Sequence, residues 1–117
     1  MINIVKPYSK YVRDAISCIK QHIDDNPFCY KTSAELLEQV CSPNRSSVEK
    51  AFKDVFGFGI KEYQVKQRLN ASKKFLEAGM SKKQVAAKCL YRSQSAFAAA
   101  FKKEFGLTPT EWQTRFA

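Results

Sequence analysis

Residues 81–106 read SKKQVAAKCLYRSQSAFAAAFKKEFG, and this stretch decides the fold. Ser81 and Ser93 are of a residue type that favours the N-cap of a helix, and Gly106 is typical of a helix end. Apolar residues recur between these signals with the spacing of one helix face. The positions expected in the core are Val85, Ala86, Cys89, Phe97, Ala100, Phe101 and Phe105. The stretch is therefore predicted to form a short helix, a turn of about four residues and a longer helix.

The same pattern occurs 49 residues earlier in the chain. Thr32 aligns with Ser81 and Asn44 aligns with Ser93, so the candidate caps coincide. The other aligned segments are Leu36-Leu37 with Val85-Ala86, Val40 with Cys89, Ser46 with Ser95, Ala51-Phe52-Lys53 with Ala100-Phe101-Lys102, Phe56-Gly57 with Phe105-Gly106, and Glu62-Tyr63-Gln64 with Glu111-Trp112-Gln113. Because caps, core positions and turn glycines coincide, we predict two helix-turn-helix motifs, in which the second helix enters the DNA major groove.

Three further helices are predicted outside the two motifs. The first ends at Asn26-Pro27, since proline disfavours helical geometry in the preceding residue. A long helix covers residues 60–78, and a last helix opens at Thr108-Pro109. The remaining expected core positions are Val12, Ala15, Ile16, Ile19, Ile23, Val48, Val55, Tyr63, Leu69, Phe75, Leu76, Trp112 and Phe116.

The predicted fold is all-α, with about seven helices and no convincing strand. Residues 8–58 would form a first helix-turn-helix subdomain, residues 59–79 a long linker helix, and residues 80–117 a second subdomain. A helix of about 19 residues spans roughly 28 Å, and successive major-groove faces lie about 34 Å apart. We therefore expect the two recognition helices to reach adjacent major grooves.

The charge of the chain points to a polyanionic partner. The 117 residues include 20 Lys and Arg against 11 Asp and Glu, which gives a formal net charge of +9. Residues 1–40 are neutral, residues 41–80 carry +4 and residues 81–117 carry +5. The charge therefore indicates nucleic acid as a partner of the later two thirds, with a solvated surface as the alternative.

The sequence does not support a membrane protein or a secreted protein. The longest apolar run, Ala96–Phe101, is far shorter than the roughly 20 residues of a membrane helix. The N-terminal residues MINIVKPY lack the apolar segment of a signal peptide. These features predict a cytoplasmic protein with no membrane contact.

The sequence lacks the residue patterns typical of an enzyme active site or a metal site. Cys18, Cys29, Cys41 and Cys89 form no C-x-x-C pair, and His22 is the single histidine. The cysteines are expected to be reduced and mostly buried, because nothing indicates secretion. With no glycine-rich phosphate loop either, we expect no catalytic residue, cofactor or small-molecule site.

Residues 85–109, VAAKCLYRSQSAFAAAFKKEFGLTP, resemble the DNA-binding domain of the AraC/XylS family of bacterial transcription regulators. Residues 52–57 and 62–76 resemble the end of the family's first motif and its linker helix, so the resemblance covers about residues 8–117. It implies sequence-specific binding of double-stranded DNA near promoters, with activation through contact with RNA polymerase. Two departures are Cys41 and Leu90, which occupy the positions where the family usually has the glycine of each inner turn.

Base readout requires donors or acceptors on the exposed face of a recognition helix. The candidates are Arg45, Ser46, Glu49 and Lys50 in the first subdomain, and Gln94, Ser95 and Ala98 in the second. Arg45 or Lys50 could donate to guanine, Glu49 could accept from cytosine and Gln94 could pair with adenine. Glu49 could equally be a solvated or helix-paired carboxylate, and Ala98 could contact a thymine methyl group or simply allow a close approach.

Contacts to the DNA backbone fix the register of a bound protein without reading its sequence. The candidates for phosphate contacts are Lys53, Lys61, Lys82, Lys83, Arg92, Lys102 and Lys103. Our hypothesis is that the first subdomain carries most of the sequence discrimination and the second mainly anchors. The alternative function is a helical module that docks an acidic protein partner and has no affinity for DNA.

Overall fold

The computed structural model describes residues 8–40 and 45–116, and within them the chain forms helices and no strand. The helices are α1 (Lys10–Asp25), α2 (Ser33–Val40), α3 (Arg45–Phe56), α4 (Ile60–Glu77), α5 (Lys82–Lys88), α6 (Gln94–Phe105) and α7 (Pro109–Phe116). The predicted all-α class and the two helix-turn-helix motifs with a long helix between them are confirmed. Asn44, Cys41 and the side chain of Val40, for which predictions were made, lie outside the described residues.

The chain divides into two compact units within α4. The first unit extends to Val65 and contains α1, α2, α3 and the start of α4. The second unit begins at Lys66 and contains the rest of α4 with α5, α6 and α7. Each unit therefore combines one helix-turn-helix motif with a helix before it and a helix after it.

The first unit is organised by α1. Its first turn is capped by Ser9, whose Oγ accepts a hydrogen bond from the Val12 amide at 3.2 Å. The helix ends at Asp25, before Asn26-Pro27, as predicted. At the start of α2, Thr32 Oγ1 accepts from the Glu35 amide at 3.1 Å. The buried core of this unit consists of Val12, Ala15, Ile16, Ile19, Ile23, Leu36, Leu37, Val48, Ala51, Phe52, Ile60 and Tyr63.

Hydrogen bonds at both ends of α5 fix the turn of the second motif. The Gln84 amide donates to Ser81 Oγ at 3.2 Å and the Ser81 amide donates to Gln84 Oε1 at 3.3 Å, which completes a capping box. At the other end, Leu90 has a φ of 67°, the one positive φ of a non-glycine residue within the described ranges. Its amide and the next one donate to the carbonyls of Ala87 and Ala86, each at 3.0 Å, so Leu90 closes a Schellman motif where glycine is usual.

The duplication is visible in the aromatic packing. The ring centroids of Phe52 and Phe56 lie 4.8 Å apart, and those of Phe101 and Phe105 lie 4.7 Å apart, with the same interplanar angle of 66°. Phe52 lies 5.8 Å from the ring of Tyr63, and Phe101 lies 6.0 Å from that of Trp112. The side chains that align in sequence therefore pack in equivalent ways inside each unit.

Some predicted core residues are not fully buried. Phe116 lies on the last turn of α7, where it is 51% exposed and stacks on Trp112 with 4.2 Å between centroids. The prediction that it points inward is wrong. Val55, Phe75, Ala100, Phe105 and Trp112 are half-buried. Cys89 is buried as expected, whereas Cys18 and Cys29 are exposed, against the expectation that the thiols are mostly buried.

Candidate nucleic-acid interface

The second helix of the first motif presents a polar outer face. Val48, Ala51 and Phe52 point into the core of the first unit and have no exposed surface. The four predicted base-reading side chains of α3 are all exposed: Arg45, Ser46, Glu49 and Lys50. Because buried and exposed positions alternate with the period of a helix, the predicted residues share the side of α3 that faces away from α1.

Within that face, Arg45 and Glu49 are close enough to pair. Arg45 Nε lies 4.0 Å from Glu49 Oε1, and both side chains are about half exposed. An exposed pair at this spacing contributes only about 0.3–0.5 kcal/mol to helix stability. The pairing corresponds to the helix-paired alternative for Glu49, and it is weak enough to exchange for a contact with a base.

The second helix of the second motif has a less polar outer face. Phe97 and Phe101 are buried, while Gln94 and Ser95 are exposed and Ala98 is half-buried. Ser93 caps the helix, because its Oγ accepts from the Ala96 amide at 3.1 Å. Among the predicted base-reading residues, α6 therefore has two exposed polar side chains, whereas α3 has four.

The predicted phosphate contacts fall into two groups. Lys53, Lys61, Lys83, Arg92, Lys102 and Lys103 are exposed. Lys82 is half-buried, and its Nζ donates to Gln113 Oε1 at 3.0 Å. Lys82 is thus the member of the set whose ammonium has a defined partner inside the second unit.

The helices of the two motifs differ strongly in charge. In the first motif, α2 and α3 together carry three basic and four acidic residues. In the second, α5 and α6 carry five basic residues and one acidic residue. The positive charge expected of a DNA-binding face is therefore concentrated on the second motif.

Sequence reasoning missed a set of buried polar residues. On α4, Gln64, Arg68 and Ser72 are at most 7% exposed. Gln64 Nε2 donates to the carbonyl of Tyr30 at 3.1 Å, and Gln113 Nε2 donates to those of Leu76 and Met80 at 2.9 and 3.1 Å. Gln64 and Gln113 are equivalent in the duplication. Their alignment in the sequence was the signal that could have indicated a shared structural role. Each one fastens the loop that precedes its motif.

Shifted pKa values occur in the Asp24 cluster of the first unit, which consists of Asp24, Tyr63 and Lys20, and at Cys89 in the second unit. Burial would raise the pKa of Asp24, but hydrogen bonds from Tyr63 and Lys20 outweigh it and hold that pKa below its ordinary value. Burial raises the pKa of the Cys89 thiol to about 11, so the thiol stays neutral at physiological pH. Tyr63 and Cys89 are buried in the cores of their units, whereas the side chains of Asp24 and Lys20 are partly exposed.

Residues 8–40 and 45–116 contain no group of His, Cys, Asp and Glu side chains that could hold a metal ion. The same residues include no helix long and apolar enough to cross a membrane. The exposed faces of α3 and α6 carry all of the predicted base-reading side chains except the half-buried Ala98.

Comparison with known proteins gives three findings. The family described as a helix-turn-helix domain matches residues 39–115. The chain is 31% identical over 96 residues to a probable transcriptional regulator, LumQ, from Photobacterium leiognathi. That match covers 81% of this chain and 37% of the relative, so the chain spans little more than a third of the relative's length.

The third finding concerns a solved structure. The C-terminal domain of AraT, a response regulator from Geobacillus stearothermophilus, is similar with a TM-score of 0.67. The match covers 94% of this chain and 88% of that chain, at 21% identity. At this identity the likeness establishes a common fold.

Proposed function

The chain belongs to the helix-turn-helix family of DNA-binding transcription regulators of the AraC/XylS type, and from this membership we propose that α3 and α6 bind adjacent major grooves of one duplex. A domain of this family binds DNA and is not an enzyme. The compartment we propose is the bacterial cytoplasm, where promoter DNA is reached. Contact with RNA polymerase, and activation through it, are part of the same proposal.

One observation carries the proposal. The duplication places an exposed serine, Ser46 and Ser95, at the same position of α3 and α6, each on a face opposite a buried phenylalanine. A helix held by its apolar side presents the other side to a groove, and its N-terminal residues reach the base edges. Because the two recognition helices belong to one chain and differ in sequence, the DNA site that they bind need not be a palindrome.

The difference between the motifs supports a division of roles. Arg45, Ser46, Glu49 and Lys50 give α3 donors and acceptors for guanine and cytosine edges, whereas α6 offers Gln94, Ser95 and the methyl group of Ala98. The second motif carries the excess of basic residues, which favours contacts with phosphates. We propose that the first motif reads most of the sequence and the second mainly anchors.

Selection of binding sites from randomised duplexes tests the proposal. The chain should select duplexes with two conserved segments about 10 base pairs apart, and hydroxyl-radical footprinting should protect two adjacent turns on one side. If about 6–10 phosphates are contacted, affinity should fall about 10³–10⁵-fold between 50 and 200 mM salt. A footprint confined to one groove would contradict the two-groove arrangement. Absence of any salt-dependent affinity for duplexes would favour the protein-docking alternative.

A further inference from the structure

The side-chain amide of Gln113 joins three segments of the second unit. Its Nε2 donates to the carbonyl of Leu76 at 2.9 Å and to that of Met80 at 3.1 Å. Its Oε1 accepts from the ammonium of Lys82 at 3.0 Å. A residue of α7 is thereby bonded to the last turn of α4, to the loop after it and to the first residue of α5.

These bonds fix the orientation of the amide. A carbonyl oxygen can only accept, so both carbonyls require the NH₂ group of Gln113. Rotating the amide by half a turn would place its oxygen against the two carbonyl oxygens and its NH₂ group against the Lys82 ammonium. The acceptor that Lys82 meets is therefore held in one place by the backbone of α4 and the following loop.

We propose that Gln113 is a positioning residue, which holds the ammonium of Lys82 ready for a phosphate of the DNA backbone. The inference rests on the proposed function, because it takes Lys82 as one of the phosphate contacts. An ammonium has three donors, and the bond to Gln113 occupies one of them and leaves two for phosphate oxygens. Ordering the lysine before DNA arrives removes part of the entropy that binding would otherwise cost.

The neighbouring lysine provides a comparison on the same helix. Lys83 carries the same charge as Lys82 but is exposed, and it forms no hydrogen bond or ion pair with any described residue. If Gln113 pre-orders Lys82, removing the Lys82 charge should cost more DNA affinity than removing that of Lys83. If both act only through their charge, the two losses should be equal.

The first unit provides the matched case without a lysine. Gln64 occupies the position equivalent to Gln113 and donates to the Tyr30 carbonyl at 3.1 Å. The position equivalent to Lys82 is Ser33. Both glutamines donate to a loop carbonyl. Between the two, Gln113 is the one that also accepts from a lysine predicted to contact phosphate.

The test measures the affinity of the chain for a duplex of random sequence over a range of salt concentrations. Lys82→Met and Lys83→Met should each reduce the log–log salt slope by about 0.9, and Lys82→Met should weaken binding about three- to tenfold more than Lys83→Met. Gln113→Leu should weaken binding about three- to tenfold, and should have no further effect once Lys82 is methionine. Gln64→Leu, the matched control, should leave the affinity of the folded chain unchanged.

Three results would overturn the inference. These are a Lys83→Met loss equal to the Lys82→Met loss, a Gln113→Leu loss that persists in the Lys82→Met background, or an equal loss from Gln64→Leu. The lysine pair leaves Gln113 intact, so it decides the question even if Gln113→Leu does not fold. A wild-type chain with no salt-dependent duplex affinity overturns the proposed function as well, whereas a chain that binds but shows additive losses overturns this inference alone.

Discussion

The two units share one framework and differ on its surface. Equivalent phenylalanine pairs lie 4.8 and 4.7 Å apart, and equivalent glutamines fasten the loops before α2 and α5. The helices of the first motif carry nearly balanced charges, while those of the second are strongly basic. The comparison teaches that the core fixes where each recognition helix lies and leaves its outward side chains to diverge.

The units also differ at two pairs of equivalent positions next to their cores, Asp24 with Lys73 and Tyr63 with Trp112. Asp24 accepts a hydrogen bond from the hydroxyl of Tyr63 at 2.5 Å in the first unit. In the second, the equivalent residues are Lys73 and Trp112, and the Lys73 ammonium lies 4.8 Å from the Trp112 ring centroid. The buried Nε1 of Trp112 has no hydrogen-bond partner among the described residues. The hydrogen bond between Tyr63 and Asp24 in the first unit therefore corresponds to a cation–π contact in the second.

The largest effect is expected from removing the ring at the centre of each core. Phe52 and Phe101 are equivalent and have no exposed surface, so Phe52→Ala and Phe101→Ala should each lower the free energy of unfolding of their unit by about 3–5 kcal/mol. Circular dichroism during denaturation follows both units, and the fluorescence of Trp112, the single tryptophan, follows the second. A loss below about 1 kcal/mol for one variant would mean that the two cores are not equivalent in energy.

The division of roles between the motifs predicts the next largest effect. Replacing Glu49 and Lys50 by alanine should reduce discrimination between the selected duplex and its single-base variants by about 1–3 kcal/mol per contact, because the donors and acceptors of α3 are lost. Gln94→Ala should have a smaller effect. Lys74→Ala, an exposed charge on α4, is the control for lost charge. Competition binding measures the discrimination, and a stronger base preference under α6 would reverse the assigned roles.

The turn of the second motif should be open to stabilisation. Leu90 has a φ of 67°, which costs a residue with a side chain roughly 1–2 kcal/mol, so Leu90→Gly should raise the free energy of unfolding by about 1 kcal/mol. Gly79 closes α4 with a φ of 87°, and a Cβ atom there would meet nothing within 4 Å. Gly79→Ala should therefore lower stability by about 1 kcal/mol through its backbone alone. Thermal unfolding measures the stability of both variants against wild type. A Leu90→Gly variant that is less stable than wild type would mean that the leucine side chain stabilises the turn.

The Asp24 cluster predicts an acid dependence in the first unit. The pKa of Asp24 is lower in the folded chain than its ordinary value of 3.8, so its contribution to stability is complete above that value and is lost as pH falls through the folded pKa. The stability difference between wild type and Asp24→Asn should therefore shrink below about pH 4. Tyr63→Phe removes the hydroxyl that donates to Asp24. The difference in stability between wild type and Tyr63→Phe should therefore also shrink below about pH 4. Denaturation at pH 7 and pH 3 checks this, and a difference independent of pH would contradict it.

The smallest predicted difference concerns thiol reactivity. Cys18 and Cys29 in the first unit are exposed, whereas Cys89 is buried and burial raises the pKa of its thiol to about 11. In a Cys41→Ser background, a thiol reagent at pH 8 should modify Cys18 and Cys29 first and Cys89 only as the second unit opens. Mass spectrometry of digested samples gives the order. Equal rates at all three sites would mean that the second unit opens as readily as a surface loop.

The ends of the helices could be predicted from sequence because each is marked by a local signal. Ser81, Ser93 and Thr32 accept the hydrogen bonds expected of caps, and Gly106 has the positive φ expected of a helix end. The outward positions of α3 and α6 followed from the spacing of the apolar residues. The helix-turn-helix function followed because core and surface repeat together after 49 residues.

The buried polar residues could not be predicted in the same way. α4 packs in both units, so its buried positions follow no single apolar stripe, and Arg68 and Ser72 occupy the positions equivalent to Ile19 and Ile23 of α1. Ser72 donates to the Leu69 carbonyl at 2.6 Å, a local bond with no signature in the spacing of apolar residues. Phe116 was misplaced because an aromatic residue at a helix end can stack on a neighbour without being enclosed.

The division of the chain inside α4 has a consequence for how this protein can change over generations. A breakpoint before α4 would remove Tyr63 and Gln64 from the first copy, and a breakpoint after it would deprive the second copy of its opening helix. An exchange of one half at either breakpoint would therefore leave one of the two units incomplete. If α3 and α6 bind DNA as proposed, point substitutions on their outer faces can change the target sequence while both cores stay intact.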